Sequence, residues 1–176
     1  MDKTMHPART RWAIPIALAA TLCLALAGPV AATAQARPFG GYTQPATEAS
    51  GPPADCPAGA LIRYTATAEG FFRHLGLVDF TITHCTFVDL ATGAGTVEDG
   101  LVTMVAANGD TLRMTHHGTF QLTPWPNPTS NNPRLFWVVI GGTGRFADAT
   151  GSGEASVTSD LLSGVTTSDW WGTIAY

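Results

Sequence analysis

From Gly59 to the C-terminus, apolar and polar residues alternate, and Gly or Asn-Gly interrupts them at short intervals. Alternation with a period of two places successive side chains on opposite faces of a strand. In the stretch 112–122, Leu112, Met114, His116, Phe120 and Leu122 share one parity. Arg113, Thr115, His117, Thr119 and Gln121 share the other, so one face is core and the other wet. Asn108-Gly109 lies just before this run and tolerates the positive φ of a tight turn, which predicts a hairpin over 101–123. The stretch 72–84 repeats the logic. Val78, Phe80 and Ile82 oppose Asp79, Thr81 and Thr83, and Gly76 marks a bend or bulge. Further strands are predicted at 61–68, 85–90, 95–106 (broken at Gly100), 134–140, 152–159 and 165–175. No segment sustains a period of 3.6. About eight short strands joined by tight turns predict an all-β chain, either a single antiparallel closed barrel or a sandwich. The barrel is preferred because a closed ring has no open edge.

The N-terminus has a different texture. Lys3, Arg9 and Arg11 precede an apolar run from Trp12 to about Ala27, then Gly28-Pro29 and a tract of small residues. Ala34-Gln35-Ala36 fits the small-x-small rule, so residues 1–36 read as a secretory signal peptide cleaved after Ala36. The run is shorter than the ~20 residues of a spanning helix. Cys23 follows Leu22 in mid-run, which does not fit a lipoprotein, and the separated arginines do not form a twin-arginine signal. Residues 37–58, rich in Pro, Gly and Ala, read as a flexible leader, and 59–176 as the barrel domain.

Charge and cysteine content narrow the setting. Residues 37–176 hold six arginines, no lysine and twelve carboxylates, for a formal charge of −6. No basic patch is present for nucleic acid. With no second long apolar run, no membrane association is expected after cleavage. Cys56 and Cys85 remain, and in an exported, extracytoplasmic chain two cysteines most simply pair. The alternative is two buried thiols. A disulfide closing a loop of about 30 residues contributes roughly 3–4 kcal/mol in the chain-entropy model.

The stretch 138–153, VVIGGTGRFADATGSG, looks like the junction between a strand and a phosphate loop. A nucleotide site needs that loop to open a helix within a βαβ unit. Only 32 residues lie beyond Gly144, and they read as two more strands. The structural reading is a corner. Gly141 and Gly142 let the chain leave a strand sharply, Thr143 caps a short turn, Gly144 continues it, Phe146 plugs one end of the barrel, and Gly151 or Gly153 starts the return. This corner resembles that of the allene oxide cyclase-like and dirigent-like barrel proteins. HLGLVDFTITHC and AANGDTLRMTHHGTF are similar to segments of small secreted bacterial proteins that share it. The resemblance spans roughly 60–175. It implies an eight-stranded antiparallel barrel with an apolar lumen, often trimeric or dimeric in the plant members. The acidic, Asn-containing first-strand motif of the plant cyclases has no counterpart here. The paired aspartates of dirigent pockets are matched by type only, in Asp79 and Asp110, and Asp110 sits where it shapes a turn. The resemblance therefore implies the fold and not the enzyme.

Three histidines, His74, His84 and His116, share parity with apolar neighbours, an arrangement that suits proton transfer or a metal. Their spacing matches no ligand motif, so neither a metal nor any other cofactor is expected. His117 belongs to the wet face. Tyr64, His74 and His116 are the candidates for catalysis. Trp125, Trp137, Trp170 and Arg145 are the candidates for ligand binding. Arg145 has a plainer reading as the partner of Asp148, and the tryptophans as core packing. Trp125 lies in the Pro-rich loop 123–133, as a lid or contact residue would. Trp170, Ile174 and Tyr176 share a face, suited to a pocket wall or an oligomer contact. Three functions follow from these residues: binding of a small apolar molecule, isomerase or cyclase chemistry, and a structural role through homo-oligomers. Binding leads, because the inward pattern is apolar and carries few charges.

Overall fold

The computed structural model describes residues 34–176. Residues 1–33, which hold most of the expected signal peptide and Cys23, lie outside the described residues. Nine strands follow one another: β1 (Arg37–Thr43), β2 (Thr47–Gly51), β3 (Ile62–Phe72), β4 (Gly76–Val88), β5 (Ala94–Ala106), β6 (Thr111–Leu122), β7 (Thr129–Gly142), β8 (Thr150–Asp160) and β9 (Val165–Ala175). All pairings are antiparallel, and β3 to β9 pair in sequence order. β1 lies beside β9 from Arg37↔Ile174 to Thr43↔Ser168, and beside β3 from Gly41↔Phe72 to Thr43↔Gly70. The ring closes on eight strands, with β2 continuing the β1 stave alongside β3. No described helix is long and apolar enough to cross a membrane.

Much of the segment 37–58, expected as a flexible leader, is instead barrel wall. β1 and β2 fill the gap between β3 and β9. Of its side chains only Phe39 is a large buried apolar group. Backbone pairing carries the stave, and hydropathy does not report that. Elsewhere the strands run longer than expected. Most of the residues read separately as 72–84 and 85–90 form one strand, β4, from Gly76 to Val88, while Phe72 ends β3; β7 begins at Thr129, which shortens the Pro-rich loop to 123–128. The break at Gly100 is a shift in register within β5, between Val97 and Gly100.

The two halves of the lumen differ. At the end carrying the turns 73–75, 107–110 and 143–149, the lumen is filled by Phe39, Phe72, Met104, Leu112, Trp137, Phe146 and Ile174. Phe39 lies between Phe72 (5.8 Å) and Trp137 (5.4 Å). The Trp137 indole donates to the Glu154 carbonyl at 3.0 Å. It lies across the paired Gly153 and Gly172, where any Cβ would collide with it. Phe146 is fully buried in a 3-10 turn, Gly144–Phe146, with Tyr176 packed on it at 4.9 Å.

The glycine corner therefore bends a β-wall and opens no helix. Gly144 sits at φ 58, where a Cβ would strike the Asp110 carboxylate. Thr143 does not cap the turn. Its hydroxyl accepts the N–H of Thr111, at the start of the neighbouring β6, at 3.0 Å. Arg145 pairs with Asp110 (3.6 Å) rather than Asp148, and donates to the His74 carbonyl. One guanidinium thus ties the three turns of the closed end together. At the other end the Cys56–Cys85 disulfide, with Cα atoms 5.6 Å apart, fastens the loop 52–61 to β4.

Candidate functional site in the open half of the lumen

The half of the barrel facing the loops 52–61, 89–93, 123–128 and 161–164 is hollow. It holds a partly open cavity of about 260 Å³. The wall is mostly apolar, with Ala66, Phe80, Ile82, Val97, Phe120 and Leu135 facing inward from β3 to β7 and Trp170 from β9. The period-two pattern explains this wall, since alternate residues of each strand face the lumen. It is hollow because Ala46, Ala66 and Ala68 stand where the closed half has phenylalanine and tryptophan.

Polar groups reach the cavity from several strands, Thr86 of β4 and Ser130 and Asn132 of β7 among them, and one cluster gathers about Glu48. Tyr64, from β3, lies beside the Glu48 carboxylate of β2, and Thr166 of β9 donates its hydroxyl to Glu48. Thr166 also shares a 2.6 Å hydrogen bond with Ser159. Nearby, Ser168 joins the Thr43 hydroxyl (2.8 Å) to the Trp170 indole N–H (2.7 Å). Burial first, and then Glu48, push the Tyr64 phenol far above its ordinary value, so it stays protonated and able to donate.

Behind Tyr64 lies a pair of imidazoles. The Tyr64 ring stacks on His84 at 4.7 Å, and His84 Nδ1 is 3.2 Å from His116 Nε2. Burial lowers His84 to about 4, assisted by the charge of Arg63. It lowers His116 to about 3, assisted by His84 and His117. Both rings are therefore neutral at pH 7, each with one N–H, and one of these two protons lies in the bond between them. His116 Nδ1 is fully buried without a partner, and a bare lone pair is tolerated there better than an orphaned N–H. His116 is accordingly the donor and His84 the acceptor of that bond, which puts the His84 proton on Nε2.

The sequence candidates fall in different places. Tyr64, His84 and Trp170 line the cavity, and His116 is buried behind it. His74 does not join the other two histidines. It sits in the turn of the closed end with φ 76, its Nε2 2.9 Å from the Pro38 carbonyl, so the parity it shares on paper is broken by the turn. Trp137 is core of the filled half, and Arg145 belongs to the closed-end turns. Trp125 is 75% exposed on its loop and does not line the cavity. Among the described residues no group of three or more His, Cys, Asp or Glu is placed to hold a metal.

Glu48, Ser159, Thr166 and Ser168 were missed. Thr166, Ser168 and Trp170 share a parity in β9, a signal the sequence did carry. Glu48 lies in the segment read as leader, where no pattern marked it. No family model matches this chain, and no curated protein does.

Proposed function

We propose that this chain is an exported barrel that binds a small, mostly apolar molecule in the open half of its lumen. The observation that carries the reading is the 260 Å³ cavity, whose wall is mainly apolar with several polar groups converging on it. Ligand pockets commonly combine an apolar wall with a few convergent polar groups. An engineered cavity of about 150 Å³ holds benzene, so by proportion this one suits a ligand of roughly ten non-hydrogen atoms. The Cys56–Cys85 disulfide supports an oxidising compartment, and the resemblance at the glycine corner supports a lumen used for apolar molecules.

The test is titration of the purified protein with phenylalkyl alcohols, followed by Trp170 fluorescence and calorimetry. Saturable one-to-one binding is expected. Val157→Trp, which fills the cavity from β8, should weaken it at least tenfold while the fold persists by circular dichroism. Binding that survives this substitution unchanged would place the ligand elsewhere.

A second reading is favoured by the stacked Tyr64 and His84. A neutral imidazole beside a protonated phenol suits proton transfer within an enclosed apolar substrate, as an isomerase requires. It demands turnover of a bound ligand that Tyr64→Phe abolishes.

A further inference from the structure

Glu48 is the one charged side chain among the residues lining the cavity. It accepts from Thr166 and faces Tyr64. No lysine or arginine lines the cavity, and His84 is held neutral. Arg63, the nearest cation named by its effect on His84, takes the opposite parity to Tyr64 in β3 and is absent from the cavity wall. The carboxylate is therefore not neutralised by a cation in the lumen. A carboxylate partly removed from water favours an opposite charge and repels a like one. The field of the chain acts in the same direction, since residues 37–176 carry a formal charge of −6.

We propose that the lumen selects amines: small amphiphiles with an apolar, preferably aromatic, body against Phe80, Phe120 and Trp170 and a protonated amino head at Glu48. Carboxylates of the same body are rejected. The inference rests on the binding reading above and adds the head-group chemistry to it. An ammonium offers three donors, and Glu48, Ser159 and Thr166 bring acceptor oxygens to one side of the cavity. A carboxylate head can find donors in the hydroxyls, the Asn132 amide and His84, but it meets the fixed negative charge of Glu48 in the same cavity.

The experiment is a matched series, 4-phenylbutylamine, 4-phenylbutanol and 4-phenylbutanoate, titrated into the wild-type chain at pH 7 by calorimetry. The expected order is amine, then alcohol, then carboxylate, with amine and carboxylate separated by at least about a hundredfold, the sum of an attraction and a repulsion each worth a factor of ten. Glu48→Gln should shrink that ratio to below about tenfold, with its thermal melt checked alongside. The wild-type ratio needs no variant, so a misfolded Gln form leaves the proposal testable. Equal affinity for amine and carboxylate overturns it, as does a ratio unchanged in a folded Glu48→Gln protein. If the alcohol binds and Val157→Trp blocks it while no amine preference exists, head-group selection alone fails. If no member of the series binds, both readings fail.

Discussion

The buried histidines decide how the molecule responds to acid. His84 and His116 are neutral in the fold, whereas an unfolded chain protonates its imidazoles near pH 6.5. Below that pH the unfolded state binds more protons than the folded one, so stability falls as pH falls. The loss continues until about pH 4 for His84 and about pH 3 for His116. Each imidazole contributes a slope of at most about 1.4 kcal/mol per pH unit. Urea unfolding at steps from pH 6.5 to 5 should show this, in a window where Asp89 and Asp160, held below the ordinary carboxylate range by backbone N–H donors, do not yet protonate. His116→Leu should flatten the profile, and a wild-type profile already flat would refute the buried neutral pair. Sequence reasoning found both residues through parity, and parity also brought in His74. A turn resets the alternation, and only the register of β3 on β4 shows that His74 has left the strand.

At the level of elements, the strands with a buried face were legible and the glycine-rich stave was not. β6 and β9 announce themselves by alternation, whereas β1 and β2 present few large apolar side chains to the core. Their stability comes from backbone pairing, of β1 with β9 and β3 and of β2 with β3, and from the disulfide just beyond them. Cys56 and Cys85 are 29 residues apart, so the closed loop should contribute roughly 3–4 kcal/mol. The double substitution Cys56→Ala, Cys85→Ala should lower the urea midpoint accordingly. A midpoint that stays put would mean the loop 52–61 is held by its own packing. The emptiness of one half of the lumen could not be read from pattern, because alanine and phenylalanine both count as apolar, and only their placement in the ring decides which half fills.

For the whole molecule, the division of labour along the barrel axis is the main result. Aromatic packing, the Phe146 plug and the Arg145 contacts occupy one end; the cavity, Tyr64, Glu48 and the pair His84 and His116 occupy the other. Closure depends on β1 meeting β9, the first and last staves of the described chain. Removing residues 165–176 should expose the edges of β1 and β8 and abolish the cooperative thermal transition. A peptide of that sequence added in trans should restore it, with a blue shift of the Trp170 emission; a truncated chain that still melts cooperatively would show that seven staves suffice. The pairing of Arg37–Thr43 with Val165–Ala175 also sets an order of events in synthesis. A nascent chain in which Val165–Ala175 has not yet been made lacks the hoop that keeps its staves together, so the ring cannot close before that segment emerges.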